Sequence, residues 1–321
     1  MKLRIGVVGA GYLGTFHCDK YLHLDDAELV AIADSDEEKR KKAYERFKVT
    51  TYADYKKLYG IVDAVSIVVP TVSHYEVAGF FLKRGIPVLL EKPITDTVQH
   101  ARKLVTIAEQ NKTAFQIGHL ERFNSAIRTV KGMIRKPVFI EVHRLSPFTV
   151  RGTDVDVVRD LMIHDLDIIL SLIPSDIVAI DAVGVPVLTN KVDIANARLK
   201  FKNGCVANVT ASRVSTERMR KIRLFQSDAY FSIDYGASKV NIVRIHTGPS
   251  PELDAQQLEI SKEDSLLEEI KSFIHAVKTG EEPLVKGRDG LSALGIAFKI
   301  LARIEKNLTT VGYEKNIDHS R

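Results

Sequence analysis

An apolar run at residues 3–8 leads straight into Gly9-Ala10-Gly11-Tyr12-Leu13-Gly14, and a helix-forming stretch follows. Few local patterns restrict a fold so tightly. The first glycine permits a tight turn out of a strand, and the second lets another group approach the backbone. The third lets a helix pack closely on that strand. A helix opening at this point offers unpaired N–H groups at its amino end, which suit phosphate oxygens. Asp34 closes the next apolar run about 20 residues on, where a carboxylate can accept hydrogen bonds from ribose hydroxyls and repel a 2′-phosphate. Gly9, Gly11, Tyr12, Leu13, Gly14 and Asp34 therefore predict a dinucleotide site that favours NAD. NADP stays open as the lesser choice, because Arg40 could reach a phosphate from a suitably placed helix.

The alternation continues. Residues 3–8, 29–33, 64–69, 88–90 and 114–117 read as buried strands, and 77–84 and 98–109 between them as amphipathic helices. Such alternation predicts a doubly wound parallel sheet, an α/β Rossmann domain over residues 1–122. In that architecture ligands bind outside the carboxyl ends of the strands. Pro70-Thr71 and Glu91-Lys92-Pro93 end two of the runs and should line the crevice.

After residue 122 the pattern changes. A helix at 125–134 precedes strand-like segments at 138–145, 177–185, 194–202, 205–213, 222–226, 230–233 and 240–246. Asn203-Gly204 between two of them is a hairpin signal, since that turn needs positive φ. Consecutive strands without helices predict an α+β domain with a large open, mainly antiparallel sheet over 123–321. Helices at 161–172, 266–277 and 291–304 complete it, and the polar last dozen residues should fray. The strands over 194–209 alternate imperfectly, so the open sheet could seat a homodimer or homotetramer.

Composition excludes several classes. With 45% hydrophobic residues in 321 the chain can bury a core and form about two domains. Its apolar runs are far shorter than the roughly 20 residues a membrane helix needs. Lys2 and Arg4 are followed by glycines and Asp19, a poor secretory signal. Two distant cysteines, Cys18 and Cys205, imply no disulfide framework, and a reducing cytoplasm is the expected home. The net charge of +5 includes one dense run, Lys39-Arg40-Lys41-Lys42, but acids precede it as in a solvated helix. No nucleic-acid or membrane partner is expected, while a basic surface suits an acidic small substrate.

Chemistry concentrates at two places. Lys92 ends a buried strand beside the predicted nicotinamide position, where a lysine could take a hydroxyl proton as hydride leaves the same carbon. Asp160 and His164, four apart, share one helix face and could both address one substrate. By themselves they could equally be a capping or salt-bridging pair. A metal pair with Asp165 or Asp167 lacks further ligands at metal-like spacing, so no metal is expected.

With these residues in view, the chain resembles the family of glucose–fructose oxidoreductases and inositol dehydrogenases over essentially its whole length. The resemblance rests on the glycine turn, Asp34, Pro70-Thr71 with His74 downstream, Glu91-Lys92-Pro93, and Asp160 with His164. It implies that Lys92, Asp160 and His164 are catalytic, and that Pro70, Thr71, His74 and Glu91 belong to the cofactor site. One departure is that 155–159 lacks the paired glycines common before that helix in the family. Gly118-His119-Leu120-Glu121-Arg122-Phe123-Asn124 and the stretch 159–167 look like the branch that oxidises UDP-N-acetylglucosamine at its 3-hydroxyl. That likeness implies a nucleotide-sugar substrate. Arg122, Asn124, Arg159, Asp160 and His164 would contact it, and Arg144 and Arg151 would add cations for its pyrophosphate. Two alternatives remain: an inositol or simple-sugar dehydrogenase of the same family, and a non-catalytic NAD-binding regulator.

Overall fold

Two compact units emerge in the computed structural model, which describes residues 1–149, 155–246 and 252–313. The first unit comprises Met1–Phe123 with Asp264–Ser292, the second Asn124–Glu263 with Ala293–Arg321. A single cut near residue 122 therefore does not describe the packing. Residues 264–292 return to the first unit because their apolar helix face packs in its core.

In the first unit, β1 (Leu3–Val8), α1 (Tyr12–Tyr21), β2 (Ala27–Ala33), α2 (Glu37–Phe47) and β3 (Thr50–Tyr52) form one half. The other half is β4 (Ala64–Ile67), α3 (Thr71–Leu82), β5 (Val88–Glu91), α4 (Val98–Gln110) and β6 (Phe115–Gly118). The strand order is β3-β2-β1-β4-β5-β6, and every pairing is parallel. Chain direction across the sheet reverses between β1 and β4, which opens the ligand crevice at their carboxyl ends. Local chemistry sets the helix ends. Asp36 accepts the Lys39 N–H at 3.1 Å, and Glu37, Glu38 and Arg46 complement the α2 dipole. Helix α3 begins at Thr71, earlier than its apolar periodicity predicts, because its polar first turn conceals the start.

The second unit contains α5 (Ser125–Lys131), β7 (Phe139–Leu145), a π turn at Val158–Met162 and α6 (Ile163–Leu172). Strands β8 (Ile177–Val185), β9 (Ile194–Phe201), β10 (Val206–Ser212), β11 (Met219–Phe225), β12 (Ala229–Asp234), β13 (Lys239–His246) and β14 (Glu252–Glu259) follow. The eight strands run β14-β13-β12-β11-β7-β10-β9-β8, antiparallel except where β7 lies parallel to β10. One face packs on α6 residues such as Leu166 and Ile169, and on Ile300 and Ile304. Edge strands β3 and β14 escape sequence reading: one is three residues long, and the other is mostly polar. The expectation that the last dozen residues fray falls largely outside the described residues.

Helix α7 (Ser265–Thr279) buries Ile270, Phe273 and Ile274 in the first unit's core with Tyr21 and Leu89, and α8 (Gly287–Thr310) begins in that unit and ends in the second. One residue on α7 breaks the apolar rule. Glu269 is 0% exposed, and neither carboxyl oxygen has a hydrogen-bond partner among the described residues. Burial, reinforced by the charge of Glu91, pushes its pKa well above the usual 4.5. The unfolded chain ionises Glu269 above that value while the folded chain keeps it neutral. Stability therefore falls as pH rises, by about 1.4 kcal/mol per unit, until the folded pKa is reached. Glu269→Gln removes this penalty. Urea unfolding should give equal stabilities near pH 4 and a more stable variant at pH 8; matching curves at pH 8 would contradict the assignment.

Candidate active site

Gly9 adopts φ +103, and its N–H donates to the Ala33 carbonyl at 2.7 Å, which turns the chain sharply at the end of β1. A Cβ on Gly14 would stand 1.8 Å from the Gly9 oxygen, so only glycine allows α1 to start this close to the strand. A Cβ on Gly11 would meet nothing within 4 Å. Protein packing thus explains Gly14 and leaves Gly11 unexplained, as expected where a ligand needs the backbone bare. The Asp34 carboxylate accepts the Ala10 N–H at 2.7 Å and the Asp36 N–H at 2.9 Å, fixing it beside the turn. Arg40 donates to the Asp34 and Ser35 carbonyls, both at 2.9 Å, so it braces the loop at that point.

A cleft of about 640 Å³ joins these elements at the carboxyl ends of the strands. Gly9, Gly11, Tyr12, Leu13, Asp34, Pro70, Glu91 and Lys92 all line it. The bare backbone at Gly11, the helix end beneath it and the anchored acid fit the diphosphate and ribose of a dinucleotide. His74 does not line the cleft. It is buried, with Nδ1 on the Pro93 carbonyl and Nε2 on the Val69 carbonyl, each at 2.9 Å. Burial lowers its pKa, and the neutral imidazole, with one N–H, donates to one of these carbonyls and packs against the other. Ser35, Lys39 and Tyr55 also line the cleft unannounced by the sequence. Lys39 hides in a charge run, and Tyr55 lies on a single turn, where its hydroxyl donates to Glu76 at 2.9 Å. A second cavity, about 460 Å³, opens at the amino ends of β5 and β6, but its Lys286 and Arg288 already pair with Glu282 and Glu109.

Lys92 follows β5 half-buried at the cleft wall, and the Lys92–Pro93 peptide is cis. Its neighbour Glu91 contacts His17 Nε2 at 3.1 Å. Despite burial, the His17 contact and the adjacent lysine hold the Glu91 carboxyl below its usual range, so an anion stands beside the amine. A Cβ on Gly118 would come within 3.0 Å of the Glu91 carboxylate, so β6 leaves room for that anion by carrying no side chain there.

In the second unit Asp160 lies on the π turn and His164 on the first turn of α6, both half-buried. A π turn inserts an extra residue into the winding and is frequent at functional sites. The arginines behave differently from expectation. Arg144 is 3% exposed, with Nε and Nη2 on Asp165 at 2.7 and 2.8 Å, so its charge is already matched by that carboxylate. Arg159 Nε binds Asp156 at 2.6 Å, and Arg122, in the first unit, reaches the Leu284 carbonyl at 3.3 Å. Asn124 caps α5 by accepting the Ala126 N–H at 3.0 Å, so its carbonyl oxygen is engaged locally. Arg151 lies outside the described residues. Among the described residues no group of three His, Cys, Asp or Glu side chains could hold a metal ion, and no helix is long and apolar enough to cross a membrane.

The geometry makes Gly11 the most informative position to alter. Gly11→Ala should leave the melting temperature within a few degrees, since its methyl meets no protein atom, while weakening NAD binding about tenfold or more by calorimetry. Unchanged affinity would place the diphosphate elsewhere.

Comparison with known proteins agrees with this arrangement. Residues 3–119 match an oxidoreductase family with an NAD-binding Rossmann fold, and 126–232 match the GFO/IDH/MocA C-terminal domain. A UDP-N-acetylglucosamine 3-dehydrogenase from Acidithiobacillus ferrooxidans is 34% identical over 95% of this chain and 98% of its own. A solved structure of that enzyme superposes with a TM-score of 0.91, covering 96% and 99% of the two chains. A myo-inositol 2-dehydrogenase from Thermotoga maritima is 26% identical over 95% and 97%. A scyllo-inositol dehydrogenase from Lactobacillus casei with bound NAD(H) shares the fold at a TM-score of 0.80 and 19% identity, over 96% and 98%. Matched along its length and carrying the glycine turn, the acid and the lysine in one cleft, the chain belongs to the GFO/IDH/MocA oxidoreductase family and is an NAD-dependent dehydrogenase.

Proposed function

We propose that this chain oxidises the 3-hydroxyl of UDP-N-acetylglucosamine to a ketone, with NAD as hydride acceptor. The carrying observation is its full-length likeness to an enzyme of that activity, 34% identical over 98% of that protein. Bound NAD supplies the acceptor for the hydride leaving carbon 3. In this reading Lys92 Nζ takes the hydroxyl proton as the carbonyl forms, and the Glu91 anion beside it balances the resulting ammonium. His164 bonds the reacting or a neighbouring hydroxyl, and Asp160, one turn away, orients the ring. Tyr12, Leu13, Pro70 and Thr71 take the cofactor with the glycine turn, and Arg122 and Arg159 are the cations assigned to the pyrophosphate.

A second reading, an inositol or simple-sugar dehydrogenase, gains from one observation. Arg144 is matched by Asp165, so fewer cations serve a diphosphate than the sequence promises. The open face of the second sheet supports a homo-oligomer. Phe139, Phe225 and Tyr230 make tilted ring contacts across neighbouring strands with centroids 5.6 and 4.8 Å apart. The row beside them carries Arg198 on Asn208 and Arg223 on Glu141. Two buried free cysteines fit a reducing cytoplasm.

Given NAD and UDP-N-acetylglucosamine, the protein should form reduced cofactor and a ketosugar two hydrogens lighter, which an aminotransferase supplied with an amino donor converts to the 3-amino sugar. Turnover of free inositol but not of the nucleotide sugar would favour the second reading. Lys92→Met should lower kcat by about 1,000-fold or more while leaving NAD affinity nearly unchanged. Full activity would remove the lysine from the mechanism. Sedimentation of the same sample should give a multiple of 35.8 kDa, and a monomer would refute the oligomer.

A further inference from the structure

The segment that carries Asp160 and His164 is tied to the sheet at its exit by a buried ion pair and at its entry by a buried arginine that is itself held in one. At its exit, Arg144 near the end of β7 donates Nε and Nη2 to the two oxygens of Asp165, the residue after His164, at 2.7 and 2.8 Å. At its entry, Arg213, just past β10, donates Nε to Asp193 at 2.8 Å and Nη2 to the Val155 carbonyl at 2.7 Å. All four charged side chains are at most 5% exposed.

The placement is not scattered. Strands β7 and β10 are parallel neighbours with Arg144 opposite Ala211, so Arg144 and Arg213 rise from the covered face at adjoining strand ends. Asp193 is itself fixed. One oxygen accepts the N–H groups of Val187, Leu188 and Thr189 at 2.8, 2.7 and 2.7 Å, and the other accepts the Thr189 hydroxyl at 2.7 Å. The Val157 N–H donates to the Val192 carbonyl at 2.9 Å, which ties the start of the π turn to the same strand end.

Apolar side chains would hold α6 against the sheet equally well, because a buried ion pair adds little net stability over a well-packed hydrophobic pair. What a two-pronged arginine–carboxylate pair adds is direction: it fixes the rotation of the helix about its axis. The π turn between the clamps is less regular than an α-helix, so the aim of Asp160 and His164 depends on where its ends are held. We propose that Arg144 and Arg213 are positioning residues that aim Asp160 and His164 at the sugar. The proposal rests on those two residues acting on substrate, and it replaces the direct substrate contact expected of Arg144.

The decisive variant is Arg144→Met with Asp165→Leu, which exchanges both members of the pair for apolar groups. Its melting temperature and NAD affinity should stay close to wild type. Its kcat should fall about 100-fold with a smaller change in KM, as for a misaimed catalytic group. Arg144→Lys, which keeps the charge but loses the fork, should lose about tenfold in kcat. Wild-type kcat in the double variant overturns the proposal, and so does wild-type kcat in Arg144→Lys should the double variant fail to fold. His164→Asn run alongside separates the two levels. Full activity there refutes the role of His164 itself, whereas its inactivity beside a fully active double variant refutes only the positioning.

Discussion

The contact between Gly14 and the Gly9 carbonyl is the constraint on which the first unit depends. A side chain at residue 14 would sit 1.8 Å from that oxygen. Because none is there, α1 starts directly over the end of β1 and turns its amino end toward the crevice. Asp34 fastens the arrangement by taking the Ala10 N–H, so an acid that lines the cleft also holds the glycine turn in shape. Binding and folding chemistry share the same atoms here.

Charge in the first unit follows from that geometry. Glu91 is kept anionic by His17 and Lys92, and the same anion helps keep Glu269 neutral. Two carboxyls in one core thus hold one negative charge between them, and it lies beside the lysine. In the second unit the logic is directional. A buried arginine–aspartate fork at one end, and at the other an arginine on the Val155 carbonyl, hold the segment that bears Asp160 and His164. Each unit therefore provides a rigid mount for a few polar groups, with the chemistry assigned to strand ends and one helix face.

Local signals were the legible ones. The glycine turn, Asp34, the alternation of strands and helices and the hairpin at Asn203-Gly204 all lie within a few residues of what they specify, and the sheet positions follow from them. Long-range pairings were not legible. Arg144 meets Asp165 across 21 residues, and Gln116 donates to the Glu269 carbonyl across 153. An arginine in an apolar strand looks like a surface cation until its partner is known, and nothing near His74 in the chain announces the Pro93 carbonyl 19 residues on. Helix α7 joined the first unit for the same reason: amphipathicity shows that a face is buried but not against what.

The most direct test of the central claim follows the transferred hydrogen. UDP-N-acetylglucosamine carrying deuterium at carbon 3 is incubated with the protein, NAD and a trap for the ketone, and the reduced cofactor is weighed by mass spectrometry. The account predicts cofactor one mass unit heavier than with unlabelled sugar. Turnover that yields unlabelled reduced cofactor would show that hydride leaves another carbon and would contradict it.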